Sequence, residues 1–453
     1  MREVLDQSLI LSRDNTIIFH IFNYVPVRLS TLKYFTFLIL GIASLWPWNC
    51  FLSASDYFQD RFSKYPLLSN NYSSSMMTIS TLTSVLFNLY LNKIQNFINY
   101  SLIIKIGNYL QMIIFIILTL SIILYPIDWV ISYFIFIMIN ILITSIGSCL
   151  TQVGIMALVN MQLPIFVNAT VVGNAISGVL PSISMILAVI SNDKISLTSS
   201  SNKDEIKINI EDRQLDAIKY FITSILIALF AQLLFYIMEY YEKRIYIPDD
   251  FFHETDNNET MDTTTDEYLE LRLDQITKPD DEFITFKQLW KKLKFVELTI
   301  IITFSITLIF PVFASNIEST NNISKKLFVP LAFLIWNIGD LIGRLLCAIK
   351  LFIIEKNNYL MIYSILRLLF IPLFLYSNIK NRGYIFNDFG YLFIQLMFGI
   401  TNGQLFSSAY MNVGQLLDTD VEKKAAASFT AFLINVSLLL GSLLSFIVVY
   451  YCL

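Results

Sequence analysis

The chain has 453 residues, of which 55% are hydrophobic and only 15% are charged, and its mean hydropathy is +0.62. Soluble domains carry about 25% charged residues, so this composition excludes a soluble protein and predicts a polytopic membrane protein. The formal net charge of −4 offers no basic surface for nucleic acid. We therefore expect a multi-pass protein integral to a lipid bilayer, preferentially the plasma membrane, with an internal membrane as the alternative.

Residues for common enzymatic or energised chemistry are missing or scattered. The two histidines, His20 and His253, lie outside the apolar segments and cannot form a histidine metal site. The sequence contains no Walker loop, which argues against ATP-driven transport. It also contains no paired intramembrane aspartate motif and no serine–histidine pair typical of a membrane protease. We therefore expect a protein that is not an enzyme and uses no metal or cofactor.

Runs of about 20 apolar residues predict about eleven transmembrane helices in an all-α fold. Six precede a long hydrophilic stretch, residues 241–296, and five follow it. This order predicts a six-helix bundle at 34–240 and a five-helix bundle at 297–453, joined by that stretch as a cytoplasmic linker. The predicted spans are 34–58, 73–92, 102–125, 129–159, 165–191, 218–239, 297–316, 327–350, 358–379, 388–415 and 424–451.

The hydrophilic segments indicate orientation. Lysines and arginines are more numerous on the side of the N-terminus, so residues 1–33 are expected to be a cytoplasmic segment. Residues 192–217 are expected to form a polar outer loop. Within the linker, the acidic part at 249–266 is typical of disorder. The stretch Phe286–Phe295 is typical of an amphipathic helix on the membrane surface.

The strongest functional signal is Asp340 and Arg344 in the eighth predicted span. Their i, i+4 spacing puts both charges on one helix face, with Asn337 one turn earlier. A charge at the bilayer centre costs on the order of 2.5–3.5 kcal/mol, so each needs a partner or water. A self-neutralising ion pair that only fixes packing remains open, but we favour a polar site lining a pathway. Gly339 and Gly343 would let a neighbouring helix approach closely.

Other spans carry isolated polar or aromatic residues whose roles the pattern leaves open. Trp48 and Asn49 follow Pro47, and Trp48 is either an interfacial anchor or part of a site. Met77 either packs against other helices or lines a site. Gln152 either forms interhelical hydrogen bonds or contacts a bound substrate. The remaining residues favour helix packing or gating: Asn174, Ser177 and Gly178 in span 5, Arg367 in span 9, and Thr401 and Asn402 in span 10.

Six short motifs, in order, resemble the equilibrative nucleoside transporter family over essentially the whole chain from Leu40 to Tyr451. Any one of them is weak, but the six together are specific. They are Leu45-Trp-Pro-Trp48-Asn49-Cys-Phe51, Gly173-Asn174 with Ser177-Gly178 and Ser182, Phe304-Ser-Ile-Thr with Phe310-Pro311, Asn337-Ile-Gly-Asp340-Leu-Ile-Gly343-Arg344, Arg367 with Phe370-Ile-Pro372-Leu-Phe374, and Thr401-Asn402-Gly403.

The resemblance implies a fold like the major facilitator superfamily, in a six-plus-five arrangement, and facilitated diffusion of nucleosides, and possibly nucleobases, by alternating access. It implies that Asp340 and Arg344 face the cavity, with arginine holding the ribose hydroxyls. The other substrate-binding residues that it implies are Leu45, Trp48, Met77, Gln152, Phe333 and Asn337. Asn174 and the segment Gln404–Ser407 depart from the family pattern, which concerns substrate selectivity rather than the transport class.

Two alternatives remain at this stage. The carboxylate of Asp340 inside a span allows proton-coupled symport of nucleosides or nucleobases. A membrane receptor is a more remote alternative, disfavoured by eleven spans rather than seven.

Overall fold

A computed structural model describes residues 14–21, 25–126, 128–196, 202–246, 283–308, 310–321, 323–379 and 385–452. A short antiparallel hairpin, β1 (Ile17–Ile21) and β2 (Val25–Arg28), precedes a set of long helices. The helices are α1 (Leu29–Ser53), α2 (Ser55–Arg61), α3 (Pro66–Lys93), α4 (Tyr100–Leu124), α5 (Val130–Asn160), α6 (Pro164–Ser196), α7 (Asn202–Tyr246), α8 (Phe286–Thr307), α9 (Phe310–Asn316), α10 (Lys325–Leu346), α11 (Asn357–Leu366), α12 (Phe370–Leu375), α13 (Asp388–Gln415) and α14 (Asp420–Cys452).

Each of the eleven predicted spans falls on one of these helices or on consecutive helices, which confirms the helical polytopic architecture. Among the described helical segments, eight are long and apolar enough to cross a membrane by length and composition alone. The helices α3, α8 and α13 fall outside that group, yet they pack against the apolar helices as members of the same bundle. Large apolar side chains on the outside of the bundle, such as Ile123 and Leu226, suit contact with lipid tails.

The structure corrects two expectations about the hydrophilic segments. Within the expected outer loop at 192–217, residues 192–196 and 202–217 are helical, because α6 continues to Ser196 and α7 begins at Asn202. The stretch Phe286–Phe295 is not a separate surface helix; it is the first half of α8, and Leu289 and Leu293 are buried in the core. Residues 249–266, expected to be disordered, lie outside the described residues.

A capping box explains where α8 begins. The backbone N–H of Thr285 donates to Gln288 Oε1 at 2.7 Å, and the threonine hydroxyl accepts from the Gln288 N–H at 3.4 Å. These two bonds satisfy backbone donors that the first turn of a helix leaves unpaired. The local sequence therefore starts the helix eleven residues before the predicted apolar span at 297.

The apolar core shows how the two halves meet. We define the inner end of the bundle as the end where α1 and α6 begin and α10 ends. One cluster at this end combines residues from both halves, including Phe37 and Phe166 with Leu293 and Phe406. The other two described clusters lie towards the opposite, outer end, and each contains residues of one half only. The halves therefore share a sealed core at the inner end and have separate cores at the outer end.

Glycines allow α10 and α13 to touch along their backbones. A Cβ atom on Gly343 would lie 2.2 Å from the Ile400 carbonyl oxygen, and one on Gly403 would lie 2.0 Å from the Asp340 carbonyl oxygen. No larger side chain fits at such separations, so the close approach expected from Gly339 and Gly343 is confirmed. The contact fixes Asp340 directly against α13.

Candidate functional site

The site begins with an ion pair within α10. The Arg344 Nη2 atom lies 2.8 Å from Asp340 Oδ2, and only 10% and 6% of the two side chains are exposed. The predicted i, i+4 pair is therefore present and shielded from solvent. The Arg344 guanidinium also lies over the ring of Phe406 on α13, 4.8 Å from its centroid, which adds a favourable contact between the cation and the electron-rich face.

A buried hydrogen-bond network extends from Asp340 into three other segments. Asn402 on α13 donates from Nδ2 to Asp340 Oδ1 at 2.6 Å, and Thr307 on α8 donates to Asn402 Oδ1 at 2.7 Å. The guanidinium of Arg367 donates to the same Thr307 hydroxyl at 3.4 Å and to the Thr303 carbonyl at 3.0 Å. Four predicted residues, namely Asp340, Arg344, Arg367 and Asn402, thus belong to one network.

Charge within the network is unbalanced. Arg367 is 1% exposed and forms no ion pair with a described residue; carbonyl and hydroxyl oxygens and the ring of Phe398, 4.5 Å away, hold it instead. Asp340 is therefore the one carboxylate in the network, with Arg344 and Arg367 as its two cations. Such a cluster has more donors than acceptors, which suits a neutral ligand bearing hydroxyl or carbonyl oxygens.

Two polar contacts join α10 to α6 across the junction of the halves. Arg344 Nη1 donates to the Val171 carbonyl at 2.7 Å, and Asn337 Nδ2 donates to the Ser182 hydroxyl at 2.8 Å. A further residue, Asn168, can satisfy its amide by donating to the Arg344 carbonyl and accepting from the Ala348 N–H, each at 3.1 Å. Arg344 therefore contacts both halves, and Gly178 leaves room for Asn337 beside α6.

Asn49, Asn174 and Ser177 lie together where α1 crosses α6. Asn49 Nδ2 donates to the Ser177 carbonyl at 2.7 Å, and the Ser177 hydroxyl donates to the Asn174 carbonyl at 2.7 Å. The Ser44 hydroxyl donates to Asn174 Oδ1 at 3.1 Å. The Asn49 and Ser44 bonds join α1 to α6 within the first half, whereas the Ser177 bond lies within α6, in keeping with a packing role. By contrast, the one side-chain hydrogen bond of Thr401 to a described residue goes to the Phe398 carbonyl of its own helix.

The structure separates the apolar candidates from the polar network. Trp48 is partly buried and packs against the outer cluster of the first half, while Phe333 packs against the outer cluster of the second. Met77 is 49% exposed, whereas its neighbour Met76 is fully buried. Leu45 and Gln152 are partly exposed. None of these five residues is joined to Asp340 or Arg344 by a hydrogen bond or ion pair among the described residues.

Three participants were not predicted from the sequence. Thr307 bridges Asn402 and Arg367, Phe406 stacks beneath Arg344, and Val171 contributes only its carbonyl. Thr307 ends the Phe304-Ser-Ile-Thr motif and lies one turn after Thr303, and this i, i+4 spacing was a usable signal for Thr307. A backbone carbonyl leaves no trace in residue identity, so the third could not be found from the sequence.

Comparison with known proteins places these residues in context. A model of the nucleoside transporter family matches residues 136–450. The nucleoside transporter FUN26 of Saccharomyces cerevisiae is 34% identical over 470 residues, which cover 94% of this chain and 86% of that protein. Equilibrative nucleoside transporter 1 of Rattus norvegicus and of Homo sapiens are 24% and 23% identical, each covering 91% of this chain and 95% of the relative.

Solved structures share the fold at low sequence identity. The proton:xylose symporter XylE of the major facilitator superfamily, bound to 6-bromo-6-deoxy-D-glucose, matches with a TM-score of 0.57 and 12% identity. That match covers 93% of this chain and 90% of XylE. The transporter FucP in the outward conformation matches with a TM-score of 0.54 and 12% identity, over 92% of this chain and 93% of FucP. The chain therefore has a major-facilitator-like fold and is an integral, multi-pass membrane protein.

Proposed function

Because this chain belongs to the nucleoside transporter family, we propose that it carries nucleosides, and also nucleobases, across a membrane down their concentration gradient by alternating access. The observation that carries this proposal is the buried Asp340–Arg344 pair at the junction of the two halves. A carrier needs a polar group that both halves can reach, and Arg344 contacts both. On this proposal the protein is a carrier and not an enzyme.

Arg344 has the donors that a ribose requires. A guanidinium has five N–H groups, and here Nη2 meets Asp340, Nη1 meets Val171, and Nε has no hydrogen-bond partner. The vicinal hydroxyls of a ribose can accept two parallel bonds from such a planar fork. Asp340 holds the guanidinium in orientation, and Asn402 in turn holds Asp340. In this scheme Arg344 binds the sugar and Asp340 is a positioning residue.

The contact with Val171 suggests how binding and movement are linked. In the state described here, the Arg344 Nη1 atom closes the inner end by donating to a carbonyl of the opposite half. A ribose oxygen that takes this N–H removes one bond holding the inner end shut. Part of the binding energy of the ribose would then offset the loss of this bond. The loaded carrier would therefore open towards the inner side more readily than the empty one.

The base would lie among the partly exposed apolar residues. Trp48, Leu45 and Met77 offer apolar surface to a flat purine or pyrimidine, and Phe333 would contribute from the second half. Gln152 can both donate and accept at the base edge, and its side chain makes no hydrogen bond with a described residue. Asn337 would add a polar contact from α10. The packing or gating role would fall to Asn49, Asn174, Ser177, Gly178, Arg367, Thr401 and Asn402.

The test is counterflow in proteoliposomes loaded with one unlabelled nucleoside and supplied with labelled nucleosides and bases. A facilitative carrier gives transient accumulation of label that decays as the internal pool leaves, without ATP or a pH gradient. Accumulation only when a proton gradient is imposed would point to symport instead. Binding of labelled adenosine without any uptake would contradict transport altogether.

A further inference from the structure

Glu297 is a buried carboxyl that the transport scheme above does not use. It lies in the middle of α8 with 0% of its surface exposed. Its one hydrogen bond among the described residues comes from the Thr430 hydroxyl on α14, 2.6 Å from Oε1. The second oxygen, Oε2, is buried and has no hydrogen-bond partner. No ion pair of the described residues includes it.

The charged groups around Glu297 form ion pairs or hydrogen bonds with other residues. On α8 itself, Lys292 pairs with Asp418 and Glu422 at the inner surface. From the segment after α11, Arg367 reaches the Thr303 carbonyl and Thr307 rather than the carboxyl. The titratable group that faces it from α13 is Tyr410, which lies within electrostatic reach of both Glu297 and Arg344. Among the described residues no cation neutralises this carboxyl, and a bare carboxylate in such surroundings is costly, so the surroundings favour the neutral acid.

We propose that Glu297 is a proton-binding site that makes opening of the inner end depend on pH. Its neighbours Val296, Ile300, Tyr410 and Phe429 belong to the apolar cluster that both halves share at the inner end. Separation of the halves at that end breaks this cluster and admits water from the inner side. The carboxyl then gains the hydration it needs to ionise.

The sign of the dependence follows from linkage. The closed inner end binds the proton more tightly than the open one, so acid on the inner side favours closure and alkali favours opening. For each tenfold difference in proton affinity between the closed and open states, the ratio of their populations changes by up to about tenfold between acid and alkaline pH.

A contiguous set of contacts connects this site to the ion pair. Tyr410 packs edge-on against Phe406 with ring centroids 4.7 Å apart, and Phe406 lies beneath the Arg344 guanidinium. Ionisation of Glu297 therefore places a negative charge behind the residue that holds the inner end shut.

The experiment reads opening directly, without relying on transport. Cys347 is fully buried at the inner end of α10 within the shared core, so its alkylation by a membrane-impermeant maleimide reports opening. In a background with Cys50, Cys149 and Cys452 changed to serine, the alkylation rate from the inner side is measured between pH 6 and pH 9. The Glu297→Gln variant keeps the shape of the neutral acid and removes the proton.

The quantity to compare is the Cys347 alkylation rate of the protein with Glu297 divided by that of the Glu297→Gln variant. We expect this ratio to be near one in acid and to rise several-fold in alkali. Taking the ratio cancels the titration of the thiol itself. Thr430→Val removes the one hydrogen bond to the carboxylate and should move the midpoint to higher pH. The control is Glu239→Gln, because Glu239 is already paired with Lys105 at 2.6 Å, and its replacement should leave the pH dependence unchanged.

A second arm rests on the proposed function: nucleoside exchange should depend on the inner pH in the wild type and not in Glu297→Gln. A ratio of alkylation rates that stays constant from pH 6 to pH 9 would overturn the assignment of Glu297. So would a Glu297→Gln protein with the wild-type exchange profile. Normal pH-dependent alkylation with no nucleoside exchange in any variant would instead refute the transported substrate and leave the proton site standing.

Discussion

Arg344 on α10 donates from Nη1 to the main-chain carbonyl of Val171 on α6, across a distance of 2.7 Å. The acceptor is backbone, so replacing the Val171 side chain leaves it in place. The donor side of this contact is therefore the side that mutation can test. The same guanidinium forms the ion pair with Asp340 through Nη2. Arg344 therefore takes part both in the ion pair and in the contact that closes the inner end.

The first prediction is that Arg344→Lys impairs uptake of nucleosides more than uptake of free bases. Lysine keeps the positive charge but loses the planar fork that can hold two ribose oxygens, and a free base has no ribose to lose. The measurement is the uptake ratio of adenosine to adenine, or of another such pair that the wild type carries, normalised to the protein in the membrane.

The control for this ratio is Arg367→Lys, because Arg367 is held by the Thr303 carbonyl and Thr307 and is proposed to stabilise the bundle. That variant should lower uptake of nucleosides and bases together, in proportion to protein level. An adenosine-to-adenine ratio that Arg344→Lys leaves unchanged would contradict ribose binding and favour a packing role for the pair.

The second prediction concerns the carboxylate. Asp340→Asn removes the one anion of the network and leaves Arg344 and Arg367 buried without a counter-charge, so the protein should be strongly destabilised. Breaking a buried pair by removing one partner typically costs about 3–5 kcal/mol. The thermal midpoint of the detergent-solubilised protein measures this. Asp216→Asn is the matched change at the exposed pair with Lys219, where such pairs contribute about 0–1 kcal/mol. Equal midpoints for the two variants would refute the prediction.

The third prediction concerns the proposed base pocket. Trp48→Ala should weaken uptake of every nucleoside, because it removes apolar surface and stacking worth about 0.5–1.5 kcal/mol beyond area burial. The apparent affinity for a purine and for a pyrimidine nucleoside is the quantity to measure. Trp129→Ala, at a side chain that is 62% exposed, controls for general loss of an indole. Wild-type uptake by well-expressed Trp48→Ala would identify Trp48 as an anchor.

The fourth prediction tests the backbone contact between α10 and α13. Gly403→Ala would put a Cβ atom 2.0 Å from the Asp340 carbonyl oxygen, so the helices must move apart. We expect the free energy of unfolding to fall by about 1–3 kcal/mol, the usual cost of overpacking. Gly390→Ala is the control, since its Cβ would first meet the Phe386 side chain at 3.2 Å. A Gly403→Ala protein as stable as Gly390→Ala would mean that the two helices are not held this closely.

Much of the fold could be predicted from hydropathy, because spans of about 20 apolar residues have few alternatives in a bilayer. The prediction was wrong where polar sequence continues a helix. The segment around Asn202–Arg213 was expected to be loop because of its charge, yet it is the start of α7. Hydropathy measures the preference for lipid, whereas a helix can extend beyond the membrane into water.

The candidate site was partly predictable. The Asp340–Arg344 pair follows from i, i+4 spacing alone, and the need of Arg367 for partners follows from its position within a span. Which partners they choose depends on how the helices pack. The Val171 carbonyl could not be predicted for this reason. Nor could the buried carboxyl of Glu297, unpaired among the described residues, which the hydropathy pattern places at the first position of the predicted span 297–316.

The interlocked glycines of α10 and α13 have a consequence for energetics at equilibrium. Because the two backbones touch, Asp340, Asn402 and the start of the Arg344 side chain move as one rigid template between the two orientations of the carrier. Interactions that a solute makes with this template are worth the same on either side of the membrane. They strengthen binding equally in the inward-facing and outward-facing orientations. They therefore do not change the relative stability of the two orientations, which depends on the first half. A passive carrier obeys detailed balance whatever its structure. The shared template itself favours neither side, so any difference between the inward and outward affinities comes from the Arg344 guanidinium, which meets the Val171 carbonyl in the closed state, and from the first half.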